Sequence, residues 1–546
     1  MFLRLTSPQR LTAVLLIALG LGVACGPAAA PTPTKAAAPV AAPTATATAV
    51  PAAPKRGGKI TVVVAGEPVT MSVSASPNPA PSNYGPLSDS LTERDFEKGI
   101  IVPVLAEKWE MIDSKTWRFY LQKNVKFWNG EAFTPEGVIA DLEWESSPAN
   151  KARLPRYVQD TTGKVVAPYT VELICAAPCA LLPNGMFHLK FQAPQWAKDN
   201  PELYKTTSVS NGPYKLAEYK RGESMKLTRF EEYWGPARYD GYLGAQLAKL
   251  PPVEEATIIW RGEAKVRAAM VATGEAHVAM DIGVQNRTLV PKFVASLPGT
   301  ENDVLRLNSR ADPLMKDKRF RQALVYAIDR ETITKTILGG LSKPIDLPFA
   351  PGSVGWTDDI ARFPYNPTKA RQLIKEGGFE GGKVTMATTS TDPTRNELFQ
   401  AILGYWEAVG LKTQLIPVEA ALATQVWSVG VGAISPYSVA GQFNHTNDQF
   451  DARVSLNYAD CRQAYSLWRC DPDEQKWFQA KLDEASAAVG DDRQRKMAEL
   501  MKWFIDEVAF PAMWTPVNIH GLKADTDYKI DGFANNVLVA RMRQLQ

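Results

Sequence analysis

The chain has 546 residues and a formal net charge of +3, and 45% of its residues are hydrophobic and 22% charged, as in an ordinary soluble globular protein. Its length predicts several lobes, each with its own core. The small net charge argues against a nucleic-acid partner, and no long apolar run follows the first 24 residues, which argues against an integral membrane protein.

The chain begins with the features of an export signal, which we predict over residues 1–24. Arg4 and Arg10 lead into an apolar run of 13 residues at 11–23, too short for the roughly 20 residues that span a bilayer. Cys25 comes two residues after this run. The arrangement resembles the bacterial lipoprotein signal, in which such a cysteine is lipidated and becomes the first residue. The alternative is an ordinary secretory signal with an incidental cysteine.

Residues 25–55 are predicted to form a disordered tether. Of the 29 residues at 26–54, 25 are Ala, Pro or Thr and only Lys35 is charged, so the segment buries too little apolar surface to offset its ordering entropy. Its seven prolines favour an extended backbone. A lipid on Cys25 would then anchor the folded body to a membrane at some distance. The alternative is a linker with no required length.

The other four cysteines form two close pairs in the sequence. Cys175 and Cys179 lie in "CAAPC", and Cys461 and Cys470 lie in "CRQAYSLWRC". Close pairs in an exported chain predict local disulfides. The alternative is a metal site built from all four cysteines.

Strand signals come first in the folded body. The β-branched run 59–65 ("KITVVVA") predicts a buried strand, and the alternation at 116–122 ("TWRFYLQ") predicts a half-buried strand. The period then changes to that of a helix at 133–144, where Thr134 can cap the helix and Pro135 suits its first turn.

The second half of the chain carries stronger helix signals. Residues 317–338 predict two successive helices, with Asp329 capping the second, and 366–379 begins with an asparagine cap and ends at a glycine pair. Two further helices are predicted at 473–489 and 491–508. The mixture of strands and helices predicts an α/β body of more than one lobe.

A block at 103–144, "PVLAEKWEMIDSKTWRFYLQKNVKFWNGEAFTPEGVIADLEW", resembles the signature region of the family 5 extracellular solute-binding proteins. These are the receptors of peptide-, dipeptide- and nickel-type ABC importers. The positions that match the family pattern are Pro103, Leu105, Ala106, Glu107, Trp109, Val125, Lys126, Phe127, Gly130, Phe133 and Val138. Gly137 stands where the family commonly has an acidic residue. Further blocks resemble the family in the same order, at 211–234, 319–340, 365–379 and, more weakly, 405–419.

The resemblance implies an α/β, two-lobed periplasmic-binding-protein-like fold of type II, in the large family 5 form. Lobe I would comprise residues 56–304 plus 515–546, and lobe II residues 305–514. Two chain crossings, near 303–308 and 513–518, would join the lobes and act as a hinge, because only a few backbone torsions need change for closure.

The ligand site must be sought outside the signature, whose distinctive residues Trp109, Lys126, Trp234 and Asp329 are predicted to be structural. Family members that bind amines place an aspartate on a turn of the second lobe, but residues 434–437 here read "ISPY", and the next acidic residues are Asp448 and Asp451. Dipeptide binding through that charge pair is therefore not expected. Aromatic and amide side chains favour larger peptides held by their backbone, or sugar-like ligands. The candidate ligand-binding residues are Asn83, Tyr84, Tyr157, Trp427, Tyr437, Phe443, Asn444, His445 and Trp514, and the alternative for each aromatic is plain core packing.

Neither a metal site nor a cofactor is expected. The chain has only four histidines, His188, His277, His445 and His520, and no two of them lie close in sequence. HExxH, GxSxG and phosphate-loop motifs are missing from the sequence, so no enzymatic activity is expected.

The leading prediction is a monomeric, lipid-anchored receptor on the outer face of the cytoplasmic membrane. It would capture an oligopeptide or sugar-like solute and dock on an ABC permease with its ATPase. The alternatives are an exported hydrolase and a surface lipoprotein, adhesin-like or chaperone-like, that reuses the scaffold.

Overall fold

The computed structural model describes residues 58–68, 70–74, 87–95, 99–147, 160–235, 253–295, 301–388, 393–419, 437–440, 445–463, 465–528, 539 and 542–544. The predicted export signal, Cys25 and the whole of the predicted tether lie outside these residues, so those predictions stay predictions.

The described chain alternates strands with helices. The strands are β1 (Lys59–Val64), β2 (Thr92–Asp95), β3 (Ile100–Pro103), β4 (Ala106–Asp113), β5 (Thr116–Leu121), β6 (Thr161–Ala167), β7 (Thr170–Cys175), β8 (Tyr214–Lys220), β9 (Ser224–Arg229), β10 (Glu255–Trp260), β11 (Val278–Ala279), β12 (Lys292–Ala295), β13 (Glu301–Val304), β14 (Arg306–Leu307), β15 (Lys383–Thr388), β16 (Lys412–Pro417), β17 (Val439–Ala440), β18 (His445–Thr446), β19 (Ala512–Trp514), β20 (Ile519–Leu522), β21 (Thr526–Tyr528) and β22 (Met542–Gln544). The α-helices are α1 (Pro135–Ser146), α2 (Leu182–Gly185), α3 (Pro194–Asp199), α4 (Ala264–Ala272), α5 (Pro313–Lys316), α6 (Lys318–Tyr326), α7 (Arg330–Thr336), α8 (Pro367–Gly377), α9 (Pro393–Ala408), α10 (Arg453–Leu456), α11 (Pro472–Ala487) and α12 (Gly490–Asp506). Short 3₁₀ turns lie at Met186–His188, Leu203–Lys205, Val284–Leu289 and Asn457–Ala459.

The first lobe is built on a seven-stranded sheet in the order β12-β20-β11-β1-β10-β9-β8. Strand β1 lies parallel to both β10 and β11, so it is covered on both edges. Its β-branched residues Val62 and Val63 are fully buried on opposite faces of the sheet, which confirms the predicted buried strand.

A four-stranded antiparallel sheet, β4-β5-β7-β6, adds a second layer to this half of the chain. On β5, Phe119 and Leu121 are buried together, as the alternation at 116–122 predicts, whereas Trp117 is only half-buried. Helix α1 follows with the predicted start, because Thr134 Oγ1 accepts a hydrogen bond from Gly137 N at 3.3 Å.

The second lobe has its own four-stranded sheet, β14-β17-β15-β16, in which β15 lies parallel to both β16 and β17. Helices α6 to α9 contribute to its core around Trp406, whose indole Nε1 donates to the Leu324 carbonyl at 2.9 Å. The predicted caps are present: Asp329 accepts from Thr332 N, and Asn366 accepts from Lys369 N. The predicted glycine stop is also present, and its second member, Gly378, has φ of +67°.

Helices α11 and α12 form a second core of this lobe with the segment at 347–349. They correspond to the helices predicted at 473–489 and 491–508. Helix α12 ends at Asp506 because Val508 has φ of +52°, a left-handed conformation that an α-helix does not continue through.

A three-stranded sheet, β18-β13-β19, lies where the chain was predicted to pass between the lobes. Strand β13 pairs with β19, with Asp303 opposite Trp514, and also with β18, with Asn302 opposite His445. The segments of the two predicted crossings are thus hydrogen-bonded to each other. The exact lobe boundaries stay a prediction.

Both predicted local disulfides are present, Cys175–Cys179 and Cys461–Cys470. The loop closed by the second one carries Trp468, whose ring lies 4.7 Å from the guanidinium groups of both Arg321 and Arg469.

Within the described part of the chain, every helix is too short or too polar to cross a lipid bilayer.

Candidate functional site

The parallel strands of each lobe end at one edge of their sheet. In open α/β sheets, ligands bind beyond the carboxyl ends of such strands. In the first lobe this edge lies beyond β1, β10 and β11, and the chain leaves β11 through Asp281, whose φ of +49° is unusual for a residue other than glycine. In the second lobe the edge lies beyond β15, β16 and β17, and helix α9 follows β15.

The two edges face each other at the start of helix α9. The Thr394 hydroxyl donates to Gln285 Oε1 at 2.8 Å, and Gln285 belongs to the 3₁₀ turn Val284–Leu289 that follows β11. Segments that follow the carboxyl ends of both sheets therefore meet at this point, and we call the region around this contact the cleft.

A second contact across the cleft is ionic. Asp448, just after β18, lies 3.6 Å from the Arg94 guanidinium and 3.5 Å from His188 Nε2. Asn184 supports the contact by donating through Nδ2 to the Gln449 carbonyl at 2.6 Å. Because Arg94 and Asp448 are 8% and 15% exposed, water screens their attraction only in part. Burial raises the pKa of Asp448, but His188 and Arg94 outweigh burial and hold it below the usual carboxyl range.

Further charged groups continue this contact into the first lobe. The Arg94 guanidinium lies 3.7 Å from the centre of the Phe187 ring and bonds to Glu93 at 3.1 Å. Burial raises the pKa of Glu93, but Arg94 and Lys190 outweigh burial and leave it lowered. Burial lowers the pKa of Lys190. Burial also raises the pKa of Asp89 to about 6, although Tyr233 and Trp234 donate hydrogen bonds to its carboxylate.

The crossing strand β13 places two carboxylates on one face, since residues two apart on a strand point the same way. Asp303 accepts from the Trp514 indole Nε1 at 2.8 Å. Glu301 is 6% exposed. Burial raises the pKa of Glu301 to about 7, and Asp303 adds to the shift, whereas Arg395 on helix α9 opposes it.

Three of the nine predicted ligand-binding residues are described, and two of them lie beside this strand. Tyr437 precedes β17 and so lies at the amino end of that strand; it is half-buried and packs against a small cluster that includes Leu467. His445 and Trp514 are the residues that pair with β13 from its two sides. The other six lie outside the described residues: Asn83, Tyr84, Tyr157, Trp427, Phe443 and Asn444.

His445 and Trp514 are enclosed by protein in this structure. The His445 ring packs edge-on against Tyr458 and Phe510, its Nε2 lies 2.8 Å from Ser455 Oγ, and burial lowers its pKa to about 3, so the ring is neutral. Trp514 is fully buried against the second-lobe core. That any of these residues contacts a ligand stays a prediction.

The charged residues of the cleft were missed in the sequence. Arg94, His188 and Glu301 stand in no motif, and Asp448 was noted only as lying far downstream of the turn at 434–437. One signal in the sequence could have indicated the acids, because the Glu-x-Asp pattern at 301–303 adjoins a predicted crossing and puts two acids on one strand face.

Among the described residues, no three His, Cys, Asp or Glu side chains are placed to hold a metal ion.

Two α/β lobes, paired crossing strands and facing carboxyl edges are the architecture of a two-lobed binding protein. Residues 101–468 match the family described as bacterial extracellular solute-binding proteins, family 5 Middle. The chain belongs to this family, as its signature region predicted.

Relatives and solved structures agree with that assignment. The chain is 28% identical over 334 residues to the glutathione-binding protein GsiB of Escherichia coli (strain K12), a match that covers 58% of this chain and 61% of the relative. The match thus spans about three fifths of the length of the curated relatives.

Two solved structures share the fold. The substrate-binding protein CtaP of Listeria monocytogenes has a TM-score of 0.74 at 17% identity, covering 90% of this chain and 100% of that one. NikA of Brucella suis in complex with Fe(III)-EDTA has a TM-score of 0.73 at 19% identity, covering 89% and 100%.

Proposed function

We propose that the protein is the substrate-binding receptor of an ABC importer. It captures a peptide or similar small polar solute in the cleft, closes over it by a hinge motion, and presents it to a membrane permease with its ATPase. The observation that carries the proposal is the facing of the two carboxyl edges, joined by the paired strands β13 and β19.

The family and the named relatives support the choice of solute. The E. coli relative is named for glutathione, which is a small peptide, and a similar fold from Helicobacter pylori is described with the peptide STSA. The charged groups around Arg94 and Asp448 favour a polar solute over an apolar one, because they make this part of the cleft polar. The residues that would contact it include those predicted in the sequence.

In this receptor, lobe I comprises residues 56–304 plus 515–546, and lobe II comprises residues 305–514. This division is supported by the two main sheets, because the strands of the first lie within 59–295 and 519–522 and those of the second lie within 306–440. The receptor works outside the cytoplasm, as the family description says of its members, and a lipid on Cys25 holds it at the outer face of the cytoplasmic membrane. It acts as a monomer and transforms nothing, because its task is capture and release.

A bound solute moves the open–closed equilibrium only by its differential affinity for the two states. Small-angle scattering of the purified protein therefore tests the proposal. Glutathione, alanine peptides of two to five residues and maltose are each added at millimolar concentration, and at least one should reduce the radius of gyration in a saturable way. A protein that shows no compaction with any of these solutes, although it is folded by circular dichroism, would contradict the hinge and the receptor function.

The lipid anchor is tested separately. Expression of the full chain with radiolabelled palmitate should label the wild type but not Cys25→Ser, and the variant should appear in the soluble exported fraction. Equal labelling of both proteins would refute lipidation at Cys25.

A further inference from the structure

Arg267 is a buried arginine of helix α4, 3% exposed, and it contacts the segments that leave two strands of the first sheet. Its guanidinium donates to the Arg261 carbonyl at 2.8 Å and to the Gly262 carbonyl at 2.6 Å, both just after β10. It also donates to the carbonyls of Met280, at 2.9 Å, and of Asp281, both just after β11. Because all of these acceptors are main-chain carbonyls, Arg267 ties the carboxyl ends of β10 and β11 together.

Asp281 is held at both its backbone groups. Its N–H donates to His520 Nδ1 at 2.9 Å, and its carbonyl accepts from Arg267. His520 lies on β20 and is fully buried. Between these two bonds Asp281 has φ of +49°, a left-handed conformation that a residue other than glycine keeps only where its surroundings hold it. Arg267 and His520 therefore fix the direction in which the chain leaves β11.

The 3₁₀ turn that follows Asp281 contacts the second lobe at two points. Gln285 of this turn accepts from the Thr394 hydroxyl at 2.8 Å. Arg287 of the same turn packs against Gly339, just after helix α7, since a Cβ built on this glycine would lie 3.1 Å from Arg287 Nη1. A change in the direction of the chain at Asp281 would therefore shift both contacts between the lobes.

We propose that Arg267 is a positioning residue for closure of the lobes. It holds Asp281 in its left-handed conformation, so that the 3₁₀ turn reaches the second lobe, and it acts through this turn without touching the solute. The inference rests on the proposed receptor function and adds to it a buried residue that sets the affinity for the solute from outside the cleft.

Amide hydrogen exchange of the full-length chain, read by mass spectrometry, tests the hold on Asp281. Arg267→Lys keeps the charge, but an ammonium does not reproduce the planar fork of donors that reaches carbonyls after two strands. Peptides that cover residues 280–289 should exchange about tenfold faster, or more, than in the wild type, because local opening no longer breaks these charged hydrogen bonds. Peptides from the core of the second lobe should exchange as in the wild type.

Small-angle scattering tests the effect on closure. Without solute, Arg267→Lys and Gln285→Ala should both have a larger radius of gyration than the wild type. Gln285 is exposed, so its replacement removes the contact with Thr394 without disturbing a core, and the closure step stays testable whatever Arg267→Lys does to stability. The affinity for glutathione, alanine peptides or maltose, whichever compacts the wild type, should fall about 2- to 12-fold in both variants, the range for one neutral hydrogen bond.

Two further variants separate positioning from folding. Arg321→Lys is the matched control, because Arg321 is fully buried inside the second lobe and also donates to main-chain carbonyls. It should lower the melting temperature but leave the radius of gyration and the exchange of residues 280–289 unchanged. Addition of Asp281→Gly to Arg267→Lys should restore part of the wild-type radius, because glycine adopts a left-handed backbone without support. A role of Arg267 in folding alone predicts no such recovery.

The inference is overturned if residues 280–289 of folded Arg267→Lys exchange as in the wild type, if Gln285→Ala keeps the wild-type radius of gyration, or if Asp281→Gly restores nothing. The receptor function survives each of these results as long as glutathione, an alanine peptide or maltose compacts the wild type. It fails only when none of these solutes does.

Discussion

The ion pair between Arg94 and Asp448 should hold the two lobes together. The two groups lie 3.6 Å apart at 8% and 15% exposure, and His188 adds a second contact to the same carboxylate at 3.5 Å. Replacing Asp448 by Asn removes the charge but keeps the shape. A charged hydrogen bond of this kind is worth about 1.5–3 kcal/mol, and the open–closed equilibrium should move toward the open state by roughly 10- to 150-fold.

Scattering measures this shift directly. Without solute, Asp448→Asn should have a larger radius of gyration than the wild type, and its affinity for any solute should fall in proportion to the lost closed fraction. As the pH falls below the ordinary carboxyl range, the wild type should approach the variant, because the pKa of Asp448 is lowered and its contribution is lost when it is protonated.

Asp451 provides the control for this experiment, because it lies three residues further on and pairs within the second lobe. Arg493 Nε donates to its carboxylate at 2.7 Å, and both side chains are buried. Asp451→Asn should lower the melting temperature, since breaking a buried pair costs about 3–5 kcal/mol, but it should leave the radius of gyration of the folded protein unchanged. An unchanged radius in Asp448→Asn would refute the argument that this contact closes the cleft.

Two further predictions concern stability. Burial raises the pKa of Asp141 to about 8, so the stability contributed by its neutral carboxyl group is complete at pH below about 4 and is lost as the pH rises through 8. Asp141→Asn should therefore have a higher melting temperature than the wild type at pH 9 but not at pH 4. An equal difference in melting temperature at both pH values would contradict this. The double change Cys461→Ser and Cys470→Ser removes the second disulfide and should lower the free energy of unfolding by about 2–3 kcal/mol, the contribution of a short closed loop. The melting temperature should fall by several degrees. An unchanged melting temperature would show that Trp468 alone holds the loop.

Local signals in the sequence predict the helices and strands well because their causes are local. The cap at Asn366, the stop at Gly378 and the cap at Asp329 each depend on residues within one turn, and each is present. The alternation at 116–122 likewise predicts which face of β5 is buried, and Phe119 and Leu121 on that face are buried. The partial exposure of Trp117 was not predictable, because it depends on the distant strands that cover the face.

The candidate site was predictable only through the crossings. The resemblance to the family placed the crossings near 303–308 and 513–518, and residues from these segments do pair, although Asp303 and Trp514 are 211 positions apart in sequence. His445 was chosen as an aromatic of a second-lobe loop and lies beside the same strand. The sequence argument favoured aromatic and amide side chains, and their contact with a ligand stays a prediction.

The charges were missed because their meaning depends on long-range contacts. Asp448 has no charged neighbour in the sequence, and its partners Arg94 and His188 come from the other half of the chain. Glu301 gains significance only from its burial and from the acids that the fold brings around it. A single sequence contains neither fact.

The contact between Asp448 and Arg94 bears on how the proposed receptor responds to a solute. It favours the closed state even without solute. A solute moves the open–closed equilibrium only by its differential affinity for the two states, so it must gain additional contacts when the lobes close. Groups of both lobes must therefore touch the solute in the closed state, and a variant that weakens the contact between Asp448 and Arg94 should depend more strongly on the solute for closure.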